Sequence, residues 1–228
     1  MTYLRKAARE SKRHTSWTDP DEDYEKALER FAGAVLADES ILESVQSFCD
    51  VLAAPARVAI LGQKLVQLTM PGVPDVYQGC EVVDLSLVDP DNRRDVDFAR
   101  RRAALATLDG AGPHDLDTEK LLVTSRALAL RRAHPEWFVG PGCSYAPVAT
   151  TTGNVIAFAR GDGSGEQVVS VATRLPVALE RRGGWGTNTI EVPAGPWSDT
   201  LTGRSVHGGA VLLADLLVDL PVALLTRA

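Results

Sequence analysis

The motif DPDNRR at positions 89–94 brings carboxylate, amide and guanidinium side chains together in one short stretch. Asp89 and Arg93 are the strongest candidates for contact with a ligand, and Asn92 and Arg94 lie beside them. A forked guanidinium paired with a carboxylate offers directed hydrogen bonds to the hydroxyl groups of a polar ligand. The same pairing could instead form a salt bridge that holds the loop, so both uses remain open.

Polar side chains also end the apolar run MPGVPDVYQGCE at positions 70–81. Tyr77, Gln78 and Glu81 stand where they could line the floor of a pocket. Alternatively, their polar atoms satisfy backbone groups of the turn around Gly79. The residue types favour neither use over the other.

The segment HTSW at positions 14–17 combines an imidazole with an indole. Flat aromatic faces stack on the apolar faces of ligand rings, so Trp17 together with His14 could form one wall of a binding site. The alternative is that the segment is a buried anchor between helices.

Composition and charge exclude several classes of function. The chain has 228 residues, of which 45% are apolar, and its formal net charge of −6 argues against a nucleic-acid surface. The basic run at positions 100–102 is interpreted as a solvated helix face. We expect no membrane span, because no stretch reaches about 20 uninterrupted apolar residues, and no secretory leader.

Cofactor and metal chemistry also lack support in the sequence. Gly-rich phosphate loops, GxSxG and CxxC are absent, and no histidine has a second ligand at metal-binding spacing, so we expect no cofactor and no metal. The odd number of cysteines favours a reducing compartment, with the three interpreted as small buried hydrophobes: Cys49, Cys80 and Cys143. The later tryptophans are interpreted as packing residues: Trp137, Trp185 and Trp197.

Helical periodicity dominates the first half of the chain. Asp19 is the predicted N-cap of one amphipathic helix, with Pro20 at its first helical position. Ser40 and Glu43 predict a capping box for a second helix that ends before Pro55. A more apolar, buried helix is predicted over 58–68, and another helix over 119–133.

Short apolar runs separated by Gly- and Pro-containing turns follow from position 140 onward. The runs lie at 155–158, 168–172, 189–192, 211–213 and 222–225, a pattern typical of an antiparallel β domain. Before them, 70–81 predicts one short buried strand ending in a loop. We therefore predict a domain boundary near Gly140, with domains over 1–139 and 140–228.

Three motifs, in their order and approximate spacing, resemble the maltooligosyltrehalose synthase family of the α-amylase superfamily. They are HTSW at 14–17, LTMPGVPDVYQGCE at 68–81 and SLVDPDNRRDVDF at 86–98. The likeness continues through LALRRAHPEWF and WSDTLTGR to PVALL and covers nearly the whole chain. Two positions depart from the family pattern: Asp95 stands where Pro usually follows the paired arginines, and Cys80 where Thr is usual.

The resemblance implies an α/β plus all-β fold. Its expected parts are the last strand and flanking helices of a (β/α)8 TIM barrel, over 1–139, followed by a small antiparallel β-sandwich. The family's Asp nucleophile, Glu acid/base and supporting Asp come from barrel strands that precede HTSW, and none of their motifs occurs here. We therefore expect no catalytic residue in this chain and no activity from it alone.

The implied reaction is an intramolecular transglucosylation in trehalose biosynthesis. It converts the reducing-end α-1,4 linkage of a malto-oligosaccharide into an α,α-1,1 linkage. In superfamily relatives, the Asp and Arg of DP-x-x-R hydrogen-bond sugar hydroxyls, which implies this role for Asp89 and Arg93. The implied partners are the malto-oligosaccharide and the rest of a barrel, in the cytoplasm, without nucleic acid or membrane.

Two other functions remain open on the sequence. One is a non-catalytic module that binds α-glucans or packs against a barrel. The other is a fragment of a related α-amylase-type hydrolase or transglucosylase.

Overall fold

The structure is a computed structural model that describes residues 1–87, 91–108, 110 and 112–228. These residues form two compact units, one of Met1–Ala54 with Ser86–Arg94 and one of Pro55–Leu85 with Asp95–Ala228. The described helices are α1 Thr2–Ser11, α2 Glu22–Ala37, α3 Glu39–Thr69, α4 Phe98–Leu108, α5 Leu116–Ala133, α6 Pro176–Arg181 and α7 Leu213–Leu216. The described strands are β1 Ser144–Pro147, β2 Val155–Asp162, β3 Gly165–Thr173, β4 Thr189–Asp199, β5 Ser205–Leu212 and β6 Val222–Arg227.

Helix α2 begins two residues later than predicted. Its N-cap is Asp21, whose carboxylate accepts a hydrogen bond from the backbone N–H of Tyr24 at 2.9 Å. Asp19 instead belongs to the preceding turn, where its N–H donates to the Ser16 hydroxyl at 2.9 Å. The prediction of Asp19 as the cap is therefore wrong, because two nearby aspartates carry the same local signal and the turn selects between them.

Helix α3 is one helix where the sequence predicts two. Its start is capped by Asp38, whose carboxylate accepts from the N–H groups of Ser40 (3.0 Å) and Ile41 (3.2 Å), so the predicted Ser40–Glu43 capping box is wrong. Pro55 lies inside the helix, and the predicted end before it is wrong as well. A proline removes one backbone donor, and the hydrogen bonds and packing of a 31-residue helix outweigh that loss.

The C-terminal end of α3, from Leu61 to Thr69, carries the buried residues of this helix. Leu61, Leu65 and Leu68 are fully inaccessible to solvent and belong to a core that includes residues of α5 and of the sheet. The helix approaches the sheet closely at Gly62, where a Cβ would lie 3.3 Å from the carbonyl oxygen of Thr173. A glycine at this position therefore permits the contact between helix and sheet.

Helix α5 begins three residues before the predicted start. Asp115 and Thr118 form a reciprocal capping box, in which each side chain accepts from the other's backbone N–H. The helix ends at Ala133, as the following His134 and Pro135 predict. The predicted helix is thus confirmed, with its first turn added by the cap.

The last third of the chain forms one six-stranded antiparallel sheet with strand order β1-β2-β3-β6-β4-β5. The predicted apolar runs fall in or at the ends of β2 to β6, which confirms the antiparallel unit. All the described strands belong to a single sheet, so the predicted sandwich of two sheets is wrong. Strand β1 was not predicted, because its four residues SYAP are short and mostly exposed.

Both faces of this sheet are covered within the second unit. In β3, Val168 and Ala172 join the core shared with α3 and α5, whereas Val169 and Val171 join a second core that includes Leu213 of α7. This alternation is the two-residue period of a strand. The sheet is therefore packed on each side, although it is not divided into two layers.

Residues 70–81 form no strand, so the predicted buried strand is wrong for this structure. The two prolines in MPGVP lack the N–H that a ladder requires, and a parallel strand needs hydrogen-bonded neighbours. Side chains bind the segment's backbone instead: Gln67 Nε2 donates to the Asp75 carbonyl at 2.6 Å, and Arg131 Nη2 donates to the Gly72 carbonyl at 3.0 Å. The barrel strand expected from the family likeness is thus not present here.

Helix α3 is long and apolar enough to cross a membrane, by length and composition alone. It is the one such helix in the described part of the chain. This signal is weak, because a core helix passes the same test. Only 11% of the most apolar stretch of α3 is buried, and the buried residues of this helix lie at its C-terminal end, between Leu61 and Thr69.

The three cysteines are unpaired, and their predicted burial is wrong. Cys49 is exposed, and Cys80 and Cys143 are half-buried. Cys49 lies in the N-terminal half of α3, where apolar side chains also face solvent.

Candidate functional site

Part of the DPDNRR motif is a single 3-10 turn over Asp91–Arg93 in the first unit. Arg94 closes this turn by an ion pair with Asp91 (Nη2–Oδ2, 2.5 Å) and a hydrogen bond to the Asp91 carbonyl (3.0 Å). The Asp91 carboxylate also accepts from the N–H of Leu87 at 2.7 Å. The loop-holding role left open by the sequence therefore suits Arg94. Asp89 lies outside the described residues.

Asn92 and Arg93 occupy the same turn with different surroundings. The Asn92 side-chain oxygen is buried and accepts no hydrogen bond within the described part of the chain. Leaving a buried acceptor unsatisfied costs about 1–3 kcal/mol, so this atom is the unusual feature of the turn. Arg93 is exposed beside it.

Tyr77, Gln78 and Glu81 lie in a tight turn of the second unit, where Cys80 N–H donates to the Tyr77 carbonyl at 3.0 Å. Gly79 makes the turn possible with a φ of +90°, a conformation that a side chain disfavours. Tyr77 and Gln78 are exposed and available for contact. Glu81 of the same turn differs from these two residues, because its carboxylate forms an ion pair with Arg101.

Arg101 of α4 holds this turn and was missed by the sequence analysis. Its Nη2 donates to the Gly79 carbonyl at 2.8 Å and its Nε to the Glu81 carboxylate at 3.1 Å. Arg100 is bound as well, to Asp117 at 2.8 Å. Arg100 and Arg102 are exposed, as the prediction of a solvated face requires, and that prediction is wrong only for Arg101, which is partly buried. No local spacing signals these bonds, because the partners are distant in sequence.

Cys80, which stands where the family usually has Thr, lies in the same turn. Burial raises the pKa of its thiol, and the nearby Asp84 carboxylate, 3.7 Å from the sulfur, raises it further. A raised pKa keeps the thiol protonated at neutral pH. Cys80 is therefore unsuited to nucleophilic chemistry.

The aromatic residues of HTSW are accessible in the first unit. Trp17 is 53% exposed, which does not match a buried anchor. One side of its ring is covered by the Arg9 guanidinium, 5.1 Å from the ring centroid, and its N–H donates to Glu10 at 3.0 Å. His14 packs against the Tyr24 ring with a 5.0 Å centroid separation. Both aromatics are oriented by neighbours and remain open to a ligand.

The buried member of HTSW is Thr15, which was not a predicted site residue. Its hydroxyl donates to the Glu25 carboxylate at 2.6 Å and accepts from the Asp21 N–H at 3.0 Å. Arg9 completes the network with bonds of 2.7 and 2.8 Å to the two Glu25 oxygens. Hydrogen bonds from Arg9 and Thr15 lower the pKa of Glu25 to about 2. This network joins α1, the HTSW turn and α2.

Replacing Glu25 by Gln is expected to remove a specific acid sensitivity of the first unit. The Glu25 pKa falls from 4.5 to about 2 on folding, so the carboxylate stabilises the fold above the unfolded pKa. This stabilisation should be lost as the pH falls through about 2. Hydrogen exchange of α1 amides, compared between wild type and Glu25→Gln from neutral to acidic pH, measures the difference.

The matched control is Asp23→Asn, an exposed acid in the same helix. We expect its pH profile to follow the wild type. Equal acid sensitivity of wild type and Glu25→Gln would contradict the role assigned to this network.

The proposed contact residues thus form two groups, one in each compact unit. The first unit holds His14, Trp17, Asn92, Arg93 and Arg94, and the second holds Tyr77, Gln78 and Glu81. Within the described residues, no cluster of three or more His, Cys, Asp or Glu side chains could hold a metal ion. The chemistry that both groups can supply is hydrogen bonding and aromatic stacking.

Comparisons of the sequence and of the structure with known proteins find relatives of the same name. A proposed maltooligosyl trehalose synthase of Mycobacterium tuberculosis is 40% identical over 99% of this chain, which covers 28% of that protein. The structure of maltooligosyltrehalose synthase from Arthrobacter ramosus matches 100% of this chain with a TM-score of 0.86 and 41% identity, and the match covers 30% of that structure. No protein-family model matches the chain.

A further solved structure, a hypothetical maltooligosyl trehalose synthase of Sulfolobus tokodaii, matches 99% of the chain with a TM-score of 0.69 and 27% identity, and the match covers 28% of that structure. The chain spans about 30% of the length of the relatives that it matches. The likeness inferred from the three motifs is confirmed: over its whole length this chain resembles the C-terminal part of maltooligosyltrehalose synthases.

Proposed function

We propose that this chain is the C-terminal part of a maltooligosyltrehalose synthase. The observation that carries the proposal is the 40% identity over 99% of the chain to a protein of that name. The activity would be an isomerisation of malto-oligosaccharides. It moves the reducing-end glucose from an α-1,4 to an α,α-1,1 linkage and yields a terminal trehalosyl unit.

A retaining route accounts for this product. A carboxylate nucleophile forms a glycosyl-enzyme and releases glucose, which stays bound. The glucose then rotates within the site, and its anomeric hydroxyl attacks the intermediate. Water must be excluded, since attack by water would hydrolyse the chain of sugars. In this proposal the acid, base and nucleophile lie in a barrel portion upstream, and this chain supplies substrate contacts.

The geometry favours sugar contacts by residues whose polar groups are exposed to solvent or, for Asn92, lack a hydrogen bond within the described residues. Asn92 offers a buried acceptor without a partner in the described residues, and Arg93 offers an exposed guanidinium beside it. Tyr77 and Gln78 are exposed at the second turn. Asp89 remains in the proposal on the family likeness alone.

Four of the proposed residues fall into two pairs with different roles. Arg94 and Glu81 are bound to Asp91 and Arg101, so we assign them mainly to holding their turns. Trp17, with His14, remains a proposed wall for a sugar ring, because the apolar face of a pyranose stacks on an exposed indole. The two pairs differ because the side chains of Arg94 and Glu81 form ion pairs in their turns, whereas His14 and Trp17 are exposed.

We further propose that residues 1–139 complete a (β/α)8 barrel and that residues 140–228 are its β domain. Large apolar side chains of the first unit that are exposed support this arrangement, since a barrel wall would cover them. They include Phe31, Leu36, Phe48 and Val51. A cytoplasmic location is also proposed, and the unpaired cysteines are compatible with a reducing compartment.

A chimera tests the function. The corresponding C-terminal part of the Arthrobacter ramosus enzyme is replaced by this chain, and the product of maltopentaose is analysed by chromatography and a reducing-sugar assay. We expect a non-reducing pentasaccharide, because the bond is moved and no glucose unit is lost. Circular dichroism and sedimentation of the chimera, beside the parent enzyme, control for folding.

Glucose and maltotetraose as the main products of a folded chimera would favour a hydrolase of the same superfamily. A folded chimera that leaves maltopentaose unchanged would contradict the proposed function outright.

The exposed apolar helices predict self-association of the chain by itself. Val51 is 75% exposed and Phe48 is 65% exposed on α3, and burying such side chains is worth about 1.5–3 kcal/mol each. We expect concentration-dependent oligomers in sedimentation velocity experiments. The double variant Phe48→Glu, Val51→Glu should shift the distribution toward monomer.

Val218→Glu, at an exposed position of the second unit, serves as the matched control and should leave the oligomers unchanged. A monodisperse wild-type monomer with a sharp two-state melt would instead favour the alternative of a free-standing, non-catalytic module.

A further inference from the structure

We propose that an apolar groove between α3 and α6 is a docking site for an acidic amphipathic helix of a partner protein. The groove lies wholly in the second unit, and none of the proposed sugar-contact residues lines it. The proposal is therefore independent of the proposed enzymatic function.

The groove has two adjoining parts, of about 250 and 590 Å³, that share Leu175 and Pro176. One wall is a stripe of α3 that runs from Pro55 through Ala59 to Val66. These positions recur at helical spacing and span about 17 Å, which equals roughly three turns of a helix. A groove of this length and lining suits the apolar face of a docked helix.

Leu175 places in the groove an apolar side chain that the rest of the chain leaves largely uncovered. It has a left-handed backbone, with φ 52° and ψ 51°, at the start of α6. A leucine in this conformation is strained, and Asn, Asp, Ser or Gly is the usual residue at a helix start. Its side chain is nevertheless 55% exposed and lines both parts of the groove. The Asn154 side chain donates to the Leu175 carbonyl at 3.3 Å and so helps to hold this conformation, which leaves the leucine side chain at the opening, where a partner can cover it.

The charge around the groove has one sign. Arg174, Arg181 and Arg182 line it, and no described lining residue is acidic. Arg182 donates to the Asn154 side chain at 3.3 Å, which fixes the position of its guanidinium. Three guanidiniums in a chain of net charge −6 make a local positive rim that complements an acidic partner.

Fluorescence anisotropy with two synthetic peptides tests the proposal. Both are helices of about 14 residues with leucine at every third or fourth position, and they carry either glutamate or lysine on the flanks. We expect the acidic peptide to bind, more weakly at high salt, and the basic peptide not to bind. Arg181→Glu should weaken binding of the acidic peptide about tenfold.

The variant Leu175→Gly distinguishes a loss of peptide binding from a loss of folding. Glycine adopts the left-handed conformation without strain, so the variant should melt at the same or a higher temperature. Its affinity for the acidic peptide should nevertheless fall about tenfold, because the apolar anchor is gone. Val218→Ala and Arg102→Glu, at exposed positions outside the groove, are the matched controls and should bind as the wild type does.

Equal binding of the acidic and basic peptides would overturn the proposal. An unchanged affinity of Leu175→Gly would overturn it as well. If Leu175→Gly instead abolished self-association of the chain, the groove would be an interface between two copies, and the proposed partner would be wrong.

Discussion

Incubated alone with maltopentaose, the chain is expected to release no glucose and to form no non-reducing product. A retaining transfer needs two carboxyl groups about 5–5.5 Å apart, one nucleophilic and one able to donate a proton. Three carboxylates near the proposed sugar contacts are bound to arginines, in the pairs Glu81–Arg101, Asp91–Arg94 and Glu25–Arg9, and Glu10 accepts from the Trp17 indole. Arg9 and Thr15 lower the pKa of Glu25 to about 2, so this carboxyl group cannot act as a general acid at neutral pH, and the other two carboxylates are engaged in holding their turns.

The measurement is a chromatographic product analysis with the chimera as the positive control, so that an inactive assay is distinguished from an inactive chain. Turnover by the chain would contradict the expectation. In that case Glu81→Gln, compared with the exposed-site control Glu191→Gln, would show whether the Glu81 carboxylate performs the chemistry.

Replacing Arg160 by Met is expected to destabilise the second unit by about 3–5 kcal/mol. Arg160 is 1% exposed. Its guanidinium donates to the carbonyl oxygens of Ser144 (2.9 Å), Phe138 (2.9 Å) and Thr69 (3.4 Å). Methionine fills part of the volume and supplies no donor, so these acceptors would lose their charged partner inside the protein.

The large size of this effect follows from where the acceptors lie. The last carbonyls of a helix have no helical partner and carry the negative end of its dipole. Thr69 is the last residue of α3, and Arg131 binds the adjacent Leu68 carbonyl at 3.0 Å. Burial lowers the pKa of Arg131, and the nearby Arg160 lowers it further. Two arginines therefore cap α3 directly before the irregular segment 70–81.

Urea unfolding followed by tryptophan fluorescence measures the loss. Arg160→Lys retains the charge with fewer donors and should fall between wild type and Arg160→Met. Arg132→Met, at an exposed position on α5, should change the midpoint little. A loss below about 1 kcal/mol in Arg160→Met would show that the three hydrogen bonds are not important for stability.

Local patterns predicted most elements but misplaced their ends. The apolar runs of β2, β3 and β6 and the stripes of α2 and α5 are visible in the sequence, because their periods repeat every two or about 3.6 residues. The caps of α2 and α3 were assigned to Asp19 and Ser40 instead of Asp21 and Asp38. Several polar residues adjoin each helix start, and the tertiary turn decides which one accepts the N–H.

The predicted barrel strand is an element that a local sequence pattern indicates and the structure does not contain. PGVPDVYQG predicts a strand by its likeness to superfamily relatives, yet residues 70–81 are irregular here. A parallel strand is stable only when neighbours complete its ladder. In this structure, donors such as Gln67 and Arg131 satisfy parts of the segment's backbone.

Residue types and motif order were sufficient to infer the family likeness. The helical first half and the antiparallel second half follow from the spacing of apolar residues, which is visible within a short stretch of sequence. The partners of the polar side chains were visible only in three dimensions. Arg101 and Glu81 are 20 residues apart, and Arg160 and Thr69 are 91 apart. Hydrogen bonds require atoms within about 3 Å, and only packing of distant elements brings these groups so close.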